Sequence, residues 1–491
     1  MKTLPRLARF APWVAALALG SLASAIFAQS TATPPPTPTR SPTDTPTAAP
    51  PPTATEPKVP TADETITLSP FEVRPEDDSG YQAMNTTSGS RLSTSLKDTA
   101  ASISPFTAEF LSDIAATNVN DMLAYAANAE LNAGDSEGAG FNNPRDFSSA
   151  GGEPFRIRGI PGGVSTDYVE NAAPQDLYNI ERAEVASGAN SILFGSGDAG
   201  GLVSLTSKKA NVTRNRGSAS VVFGSGDYQR YSTDINRVII PKKLGVRLNG
   251  LYQNAKGWRT YEFDDAKRAA GSITYRPFQN TSISVNYEEG LTQKSVGLRW
   301  NTTNQITSWI AAGRAVTDVA AANQALGISS LGANQRFTYY TQDGFVSNMR
   351  NELRTNIAPG VADTLLPKEI FPYSINWAGP DTRLWRDFNS SQISIDQKIL
   401  ESLNVQAVYL KNETDSRARS FVYNGNTMDF LGDPNLTILA QSGAGTITNP
   451  RAKQLYIETN QLDDRTQTEN EIKRVTVAYE LRLGKWFGNH R

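Results

Sequence analysis

Beyond residue 214 the chain alternates apolar and polar residues with period two, in segments of about ten residues. Leu244, Val246, Leu248 and Tyr252 fall on one face; Arg247, Asn249 and Gln253 fall on the other. Ile273 and Tyr275 oppose Ser272, Thr274 and Arg276. Ile283, Val285 and Tyr287 oppose Ser284, Asn286 and Glu288, and Val475, Val477, Tyr479 and Leu481 oppose Thr476, Glu480 and Arg482. This is the period of a strand. One apolar and one polar face suits a sheet with a single buried side. It equally suits a membrane barrel, greasy outside and wet within.

Loop lengths separate the two readings. The alternation predicts about eight strands between residues 216 and 483. Tight turns at 241–243, 277–280 and 400–403 alternate with longer connections, notably 295–386 and 418–470. Short turns on one rim and long loops on the other mark an outer-membrane barrel, a sorting not expected of a soluble sandwich.

Composition excludes other classes. Lys+Arg number 47 against 49 Asp+Glu, a balance that argues against a nucleic-acid partner bound through its phosphates. There is no cysteine, hence no disulfide framework, thiolate zinc site or cysteine nucleophile. The single histidine, His490, leaves no basis for a histidine triad or a histidine-rich metal site. No nucleophile stands beside a base, so the chain does not read as an enzyme, and no cofactor or metal is implied. The tandem carboxylates Asp77-Asp78, Asp264-Asp265 and Glu288-Glu289 are poor paired ligands, because neighbours on a strand point to opposite faces. A mean hydropathy of −0.41 is too polar for a bundle of membrane helices.

The N-terminal part, residues 1–210, is organised differently. Residues 1–28 have a basic start (Lys2, Arg6, Arg9), a short apolar stretch and small residues, the layout of a secretory signal peptide. Residues 29–63 are almost entirely Pro, Thr, Ala and Ser, a stiff extended spacer unable to bury a core. Residues 64–73 begin with an alternating segment, Glu64, Thr65, Ile66, Thr67 and Leu68, which reads as a lone strand. Beside a spacer such a strand suits addition to the edge of a partner's sheet; the alternative is the first strand of the next domain. Residues 81–210 read as one α+β domain. Strands are expected at 102–104, 155–160, 180–186 and 201–207, and helices at 107–114 and 118–127, the second capped by Asn118 with Asp121 at its third position. The glycine-rich loop 134–152 is long enough to suggest function.

Within this domain, the run from Asn179 to Gly201 (NIERAEVASGANSILFGSGDAGG) resembles the plug signature of TonB-dependent outer-membrane transporters. Phe155 to Ile160 is similar to that family's Arg-Gly strand, residues 91–113 to its opening segment, and 64–73 to a TonB box. Ala189 and Asn190 depart from the usual Pro and small residue, and the strand at 204–207 lacks the usual Asn. The resemblance implies a membrane β-barrel closed by an N-terminal α+β plug, in the cell outer membrane, with outer-membrane lipid around it. It implies active uptake of a scarce solute: siderophore, cobalamin or oligosaccharide. It implies TonB as partner, through Glu64, Thr65, Ile66, Thr67 and Leu68. Strand addition suits such a task, because a row of backbone hydrogen bonds bears a pull along the chain. A surface ligand-binding, adhesion or signalling receptor that does not transport is the alternative. The spacer occupies the place where sensing members carry a folded signalling domain, which disfavours signalling.

By the same resemblance Arg158, Glu181, Arg182 and Glu184 form a plug lock, its arginines pairing with barrel glutamates; the alternative is ordinary solvated strand charge. Candidate ligand contacts are Phe141, Asn143, Arg145 and Asp146 in the long loop, and Thr166, Asp167 and Tyr168 in a second. Trp300, Trp309, Tyr339, Tyr340, Trp377 and Trp385 lie in or beside the long outer connection, where aromatics stack on ligand rings or, more simply, fold the loop and line the membrane interface.

Length is then the difficulty. By itself 491 residues would suit roughly three soluble domains. A plug of this size has a radius of gyration of about 14 Å. An eight-stranded barrel is filled by its own side chains, and a barrel that holds a plug needs on the order of 22 strands. Residues 211–491 cannot supply them, so the expectation is the N-terminal part of a barrel, about eight antiparallel strands of 22, C-terminally truncated and with open edges.

Overall fold

The structure, a computed structural model, describes residues 70–73, 78–88, 91–131, 155–170, 176–188, 199–295, 313, 335–340, 346–350, 372, 374–376, 379–420, 429–432, 436–439, 446–450, 452–458, 462–482 and 489–490. The expected signal peptide, spacer and residues 64–69 of the box-like segment lie outside them.

The α+β part begins with a small antiparallel pair, β1 (Asn85–Thr86) and β2 (Thr94–Ser95). It continues with β3 (Ile103–Phe106) and two short helices, α1 (Ala108–Asp113) and α2 (Val119–Leu123). Both helices start where capping chemistry places them. The Thr107 hydroxyl accepts from Phe110 N at 3.2 Å. Asn118 and Asp121 cap each other reciprocally, Asp121 N donating to Asn118 Oδ1 at 3.0 Å and Asn118 N to Asp121 Oδ2 at 3.2 Å. α2 stops well short of the expected residue 127, because Tyr125 N and Ala126 N bond to the carbonyls of Met122 and Leu123 and tighten the chain into a turn.

β4 (Ala129–Leu131), β5 (Phe155–Ile157) and β6 (Ile160–Pro161) form a three-stranded sheet. The single strand expected at 155–160 is therefore a hairpin. Arg158 and Gly159 both have positive φ, 55° and 75°, the two-residue turn that matches strand twist. β7 (Gly163–Thr166), β8 (Val169–Glu170), β9 (Ile180–Ser187) and β10 (Gly201–Ser207) join β3 in a five-stranded sheet ordered β3-β9-β10-β7-β8. β7 runs parallel to β10; the other neighbours are antiparallel. The helices cover this sheet with Leu111, Met122 and Leu123 against Ile157, Val185 and Val203. Met122 is fully enclosed, so Met122→Ala should cost about 2–5 kcal/mol. Faster hydrogen exchange across β9 and β10 would report that loss, and unchanged exchange would contradict it.

The Gly200-Gly201 pair is explained by close approach. A Cβ on Gly200 would sit 2.8 Å from the Pro161 carbonyl oxygen and 2.9 Å from that of Ile157. Gly201 has φ 149°, and a Cβ there would stand 2.5 Å from the Ala186 oxygen.

The second part is a meander of eight strands. Its members are β11 (Arg216–Gly224), β12 (Tyr228–Ile240), β13 (Leu244–Asn254), β14 (Asp264–Phe278) and β15 (Thr281–Lys294). After β16 (Gln335–Tyr340) and β17 (Val346–Arg350) come β18 (Arg383–Leu400) and β19 (Leu403–Ser420). Then follow β20 (Asp429–Gly432), β21 (Thr437–Leu439), β22 (Thr446–Thr448), β23 (Leu455–Glu458) and β24 (Leu462–Tyr479). The large sheet is ordered β11-β12-β13-β14-β15-β18-β19-β24, every pair antiparallel. Among the described residues β11 pairs only with β12 and β24 only with β19, so the sheet is open. The long connections contain strands of their own: β16, β17, β20 and β23 form a four-stranded sheet drawn from both of them. The strands of the large sheet consequently run further, and the loops are shorter, than the alternation alone suggested.

The decisive feature of this sheet is that it is inside out. Arg230, Asp234, Arg247, Asn249, Arg268 and Gln392 are buried, whereas Leu248, Ile273, Tyr287, Ile393, Val475 and Val477 are exposed. A soluble sheet buries its apolar face; a membrane barrel wall turns it outward to lipid. No helix among the described residues is long and apolar enough to cross a membrane. Toward the long-loop rim the exposed face changes to charge, with Lys411 paired to Glu469 at 3.0 Å and Arg417 to Asp463 at 2.7 Å. β18, β19 and β24 have 18 residues each. A bilayer needs about 9–11 per strand, so these three extend past its hydrocarbon.

Candidate functional site: the interface between plug and barrel wall

The turn before β9 carries the first bolt. Asp176 caps a single helical turn, its Oδ1 accepting from Tyr178 N at 2.8 Å. The same carboxylate receives the Arg230 fork of β12 at 2.9 and 2.7 Å. Two residues on, Tyr178 Oη and Asn179 Nδ2 donate to Glu288 of β15 at 3.0 and 2.9 Å. Arg268 of β14 donates to Glu288 at 2.6 Å, and its guanidinium lies between the Tyr178 and Phe388 rings, 5.1 and 4.7 Å from their centres. Burial, and next the Glu288 carboxylate, hold the Tyr178 phenol well above its usual pKa, so it stays a donor.

On β9 itself Glu181 pairs with Arg247 of β13, which also forks onto Asp234 of β12 at 2.8 and 2.7 Å. Lys208, just past β10, reaches Asp234 at 3.0 Å and donates to the Tyr178 carbonyl at 2.8 Å. Plug and wall are thus joined by a network of cations and carboxylates in which neither side supplies one sign only. Such partners are costly to separate once buried.

Arg182 and Glu184 do something else. Arg182 bonds Glu184 at 2.9 Å and Asp78 at 2.8 Å, and donates to the Asn85 carbonyl. Glu184 accepts from Thr86 Oγ1 at 2.8 Å, from Ser88 N at 3.2 Å and from the Ser88 hydroxyl. Both side chains are buried. They clamp the segment 78–88 onto β9 inside the plug, instead of pairing with barrel glutamates. The physical reason is strand phase: Glu181 points away from Arg182 and toward the wall. Arg158 sits in the exposed β5–β6 turn, apart from this network. A further anchor is Lys209, paired with Glu72. Burial works against its ammonium, but Glu72 outweighs this and leaves the pKa raised. Phe71 beside it is buried.

Of the expected ligand contacts, Phe141, Asn143, Arg145 and Asp146 lie outside the described residues, as do Trp300, Trp309 and Trp377. Asp167 and Tyr168 form the β7–β8 turn with positive φ, 50° and 66°. Asp167 Oδ1 accepts from Ser207 N at 3.2 Å, and the Tyr168 ring lies between the guanidiniums of Arg91 and Arg474, at 5.8 and 5.6 Å. Because β7 is parallel to β10, this turn points where β10 ends. There Lys242 N, in a short turn, bonds the Val212 carbonyl at 2.9 Å. Thr166 and Asp167 nevertheless face the middle of the wall, beside Glu288, Ser390, Gln392 and Asn412. Trp385 is on the outward face of β18, with Arg383 and Arg417 stacked 5.4 and 5.6 Å from its ring.

The residues missed by sequence reasoning are Asp176, Tyr178, Lys208, Arg230, Asp234 and Arg268. One signal was available: Arg230, Asp234, Arg247, Arg268 and Glu288 all fall on the polar phase of their strands, the phase that faces the lumen.

A small α+β domain bonded to the polar side of an inside-out sheet defines a plugged membrane-barrel wall. Residues 95–202 match the family model described as the TonB-dependent receptor plug domain. Over 228 residues the chain is 29% identical to the metal-pseudopaline receptor of Pseudomonas aeruginosa, a match covering 46% of this chain and 31% of that one. It is 26% identical over 222 residues to the ferrioxamine receptor of Yersinia enterocolitica, covering 42% and 29% respectively. The fold is similar to the crystal structure of the ferric preacinetobactin receptor of Acinetobacter baumannii, with TM-score 0.54, 13% identity, and coverage of 83% of this chain and 48% of that one. It is also similar to the ferric-catecholate import receptor of E. coli, with TM-score 0.53, 14% identity and 82% and 47% coverage. The matches span under a third of these curated relatives. The chain thus carries a TonB-dependent receptor plug domain at residues 95–202, followed by an eight-stranded antiparallel sheet.

Proposed function

We propose that the protein draws a metal chelate of the siderophore class across the outer membrane, powered through TonB. The observation that carries this reading is the clamp of the N-terminal segment 78–88 onto β9 by Arg182 and Glu184. A pull on the residues before it is delivered to β9, an inner strand of the plug sheet. The box-like segment Glu64–Leu68 supplies the handle, by strand addition to TonB. The matched relatives, named for metal-pseudopaline and ferrioxamine, favour metal chelates over cobalamin or oligosaccharide.

Deleting residues 64–73 is the test. Cells carrying the deletion should lose uptake of ferrioxamine yet still bind it at the surface. A receptor that only binds would lose neither, and that result would reject transport.

A further inference from the structure

The two rims of the large sheet carry charge differently. At the long-loop rim the outward arginines are paired, Arg417 with Asp463 at 2.7 Å, Arg419 with Asp381 at 2.8 Å, and Arg465 with Asp415. At the short-turn rim the bases of β11–β14 bring together Arg214, Arg216, Arg237, Lys242, Lys243 and Arg276. No Asp or Glu occurs at 199–226, 235–261 or 266–287, the stretches that contain these bases. Arg214, Arg216, Arg237 and Lys243 are exposed and make no ion pair among the described residues. The excess is local, for on the β18–β19 turn Lys398 is paired with Glu401 at 2.8 Å.

The cations stand on a fixed frame. Asn211 Oδ1 accepts from Thr213 N and Arg214 N at 2.7 and 3.0 Å, closing the chain into a turn. Asn236 Nδ2 of β12 donates to the Arg214 carbonyl at 2.7 Å, and Val238 N to Asn215 Oδ1 at 2.7 Å. Lys242 N bonds the Val212 carbonyl at 2.9 Å, and Arg276 N that of Lys243 at 2.7 Å. Like charges gathered in this way repel one another, and an anion from outside the chain offsets that. Apolar side chains accompany them: Ile239 is 58% exposed, Ile240 46% and Phe278 73%. Arg237 is in register with Val246, which continues across β14 to Ile273 on the outward face. Cations along the edge of an apolar surface fit a lipid interface, where apolar groups enter the acyl boundary and the charges meet headgroups. A soluble acidic partner would account for the cations alone.

We infer that the short-turn rim of β11–β14 is a docking surface for the anionic phospholipid headgroups of the periplasmic leaflet, and that this contact sets the depth of the wall in the bilayer. Each Lys or Arg beside an anionic bilayer strengthens partition by about fivefold.

The test is lipid retention by the full chain, purified from outer membranes and washed in neutral detergent. Phosphatidylglycerol should be retained at least about tenfold better than phosphatidylcholine at low salt. The preference should shrink toward parity in about 1 M salt, where the screening length is about 3 Å. In a variant carrying Arg214→Gln, Arg216→Gln, Arg237→Gln and Lys243→Gln it should fall to within about twofold; an undiminished preference would overturn the proposal. Arg214→Lys, Arg216→Lys and Arg237→Lys together should preserve it, and loss there would mean that packing, not charge, decides. Arg417→Gln with Arg465→Gln, at the other rim, should also preserve it; an equal loss would place the selectivity elsewhere. Displacement of the lipid by millimolar glycerol phosphate would reduce the surface to a phosphate site, and displacement by a polyglutamate peptide would make the partner a protein. Either result overturns the lipid. Protease resistance of the plug reports that each variant is folded. No arm depends on uptake, so the outcome is independent of the transport reading.

Discussion

Arg182→Ala should release the N-terminal segment from the plug. Its guanidinium is the shared cation of Asp78 and Glu184, both held at about 2.8–2.9 Å and both nearly enclosed. Removing it takes the shared cation from two buried carboxylates, and breaking one side of such a pair costs about 3–5 kcal/mol. Residues 78–88 should lose hydrogen-exchange protection, while the core around Met122 keeps its own. When the N-terminus is pulled in a single-molecule experiment, the first rupture should occur at lower force. Arg182→Lys should recover part of the loss, because one ammonium cannot reproduce a fork that reaches Asp78, Glu184 and the Asn85 carbonyl together. Unchanged rupture force in Arg182→Ala would remove the clamp from the account.

Arg247→Ala should have a comparable effect on a different interface. It strips Glu181 of its partner and leaves Asp234 with Lys208 alone, at 3.0 Å. The cost is again about 3–5 kcal/mol, but it loosens plug from wall instead of segment from plug. The expected sign is faster proteolysis of the plug in outer-membrane preparations, with the barrel strands still resistant. Arg158→Ala provides the contrast: exposed in its turn, it should change stability by no more than about 0.5 kcal/mol. Equal protease sensitivity of the Arg247 and Arg158 variants would mean that plug attachment does not depend on this network.

Much of the architecture is legible in the order of the amino acids. Period two in Leu244–Asn254 and Thr281–Lys294 sets which side chains share a face, and the alternation of short and long connections sets which strand ends share a rim. The capping pairs Thr107 and Asn118–Asp121 locate the helix starts, since an N-cap acts on the next three residues only. Helix ends and the β5–β6 hairpin are harder. They depend on positive φ at Arg158 and on tight bonds at Tyr125 and Ala126, which tertiary packing selects.

What the sequence determined by itself, then, was the kind of object: a chain with a plug signature and an amphipathic meander whose polar face was free to be the inner one. Periodicity says that two faces differ; it does not say which one is enclosed. Loop lengths had favoured the polar face as the inner one, but only the tertiary structure decided which plug residues Arg247, Arg268 and Glu288 meet there. It also assigned partners. Glu181 and Arg182 are adjacent in the chain, yet one binds the wall and the other the N-terminal segment, because consecutive residues of a strand face opposite ways and the charge each meets arrives from residues 66 and 104 positions distant.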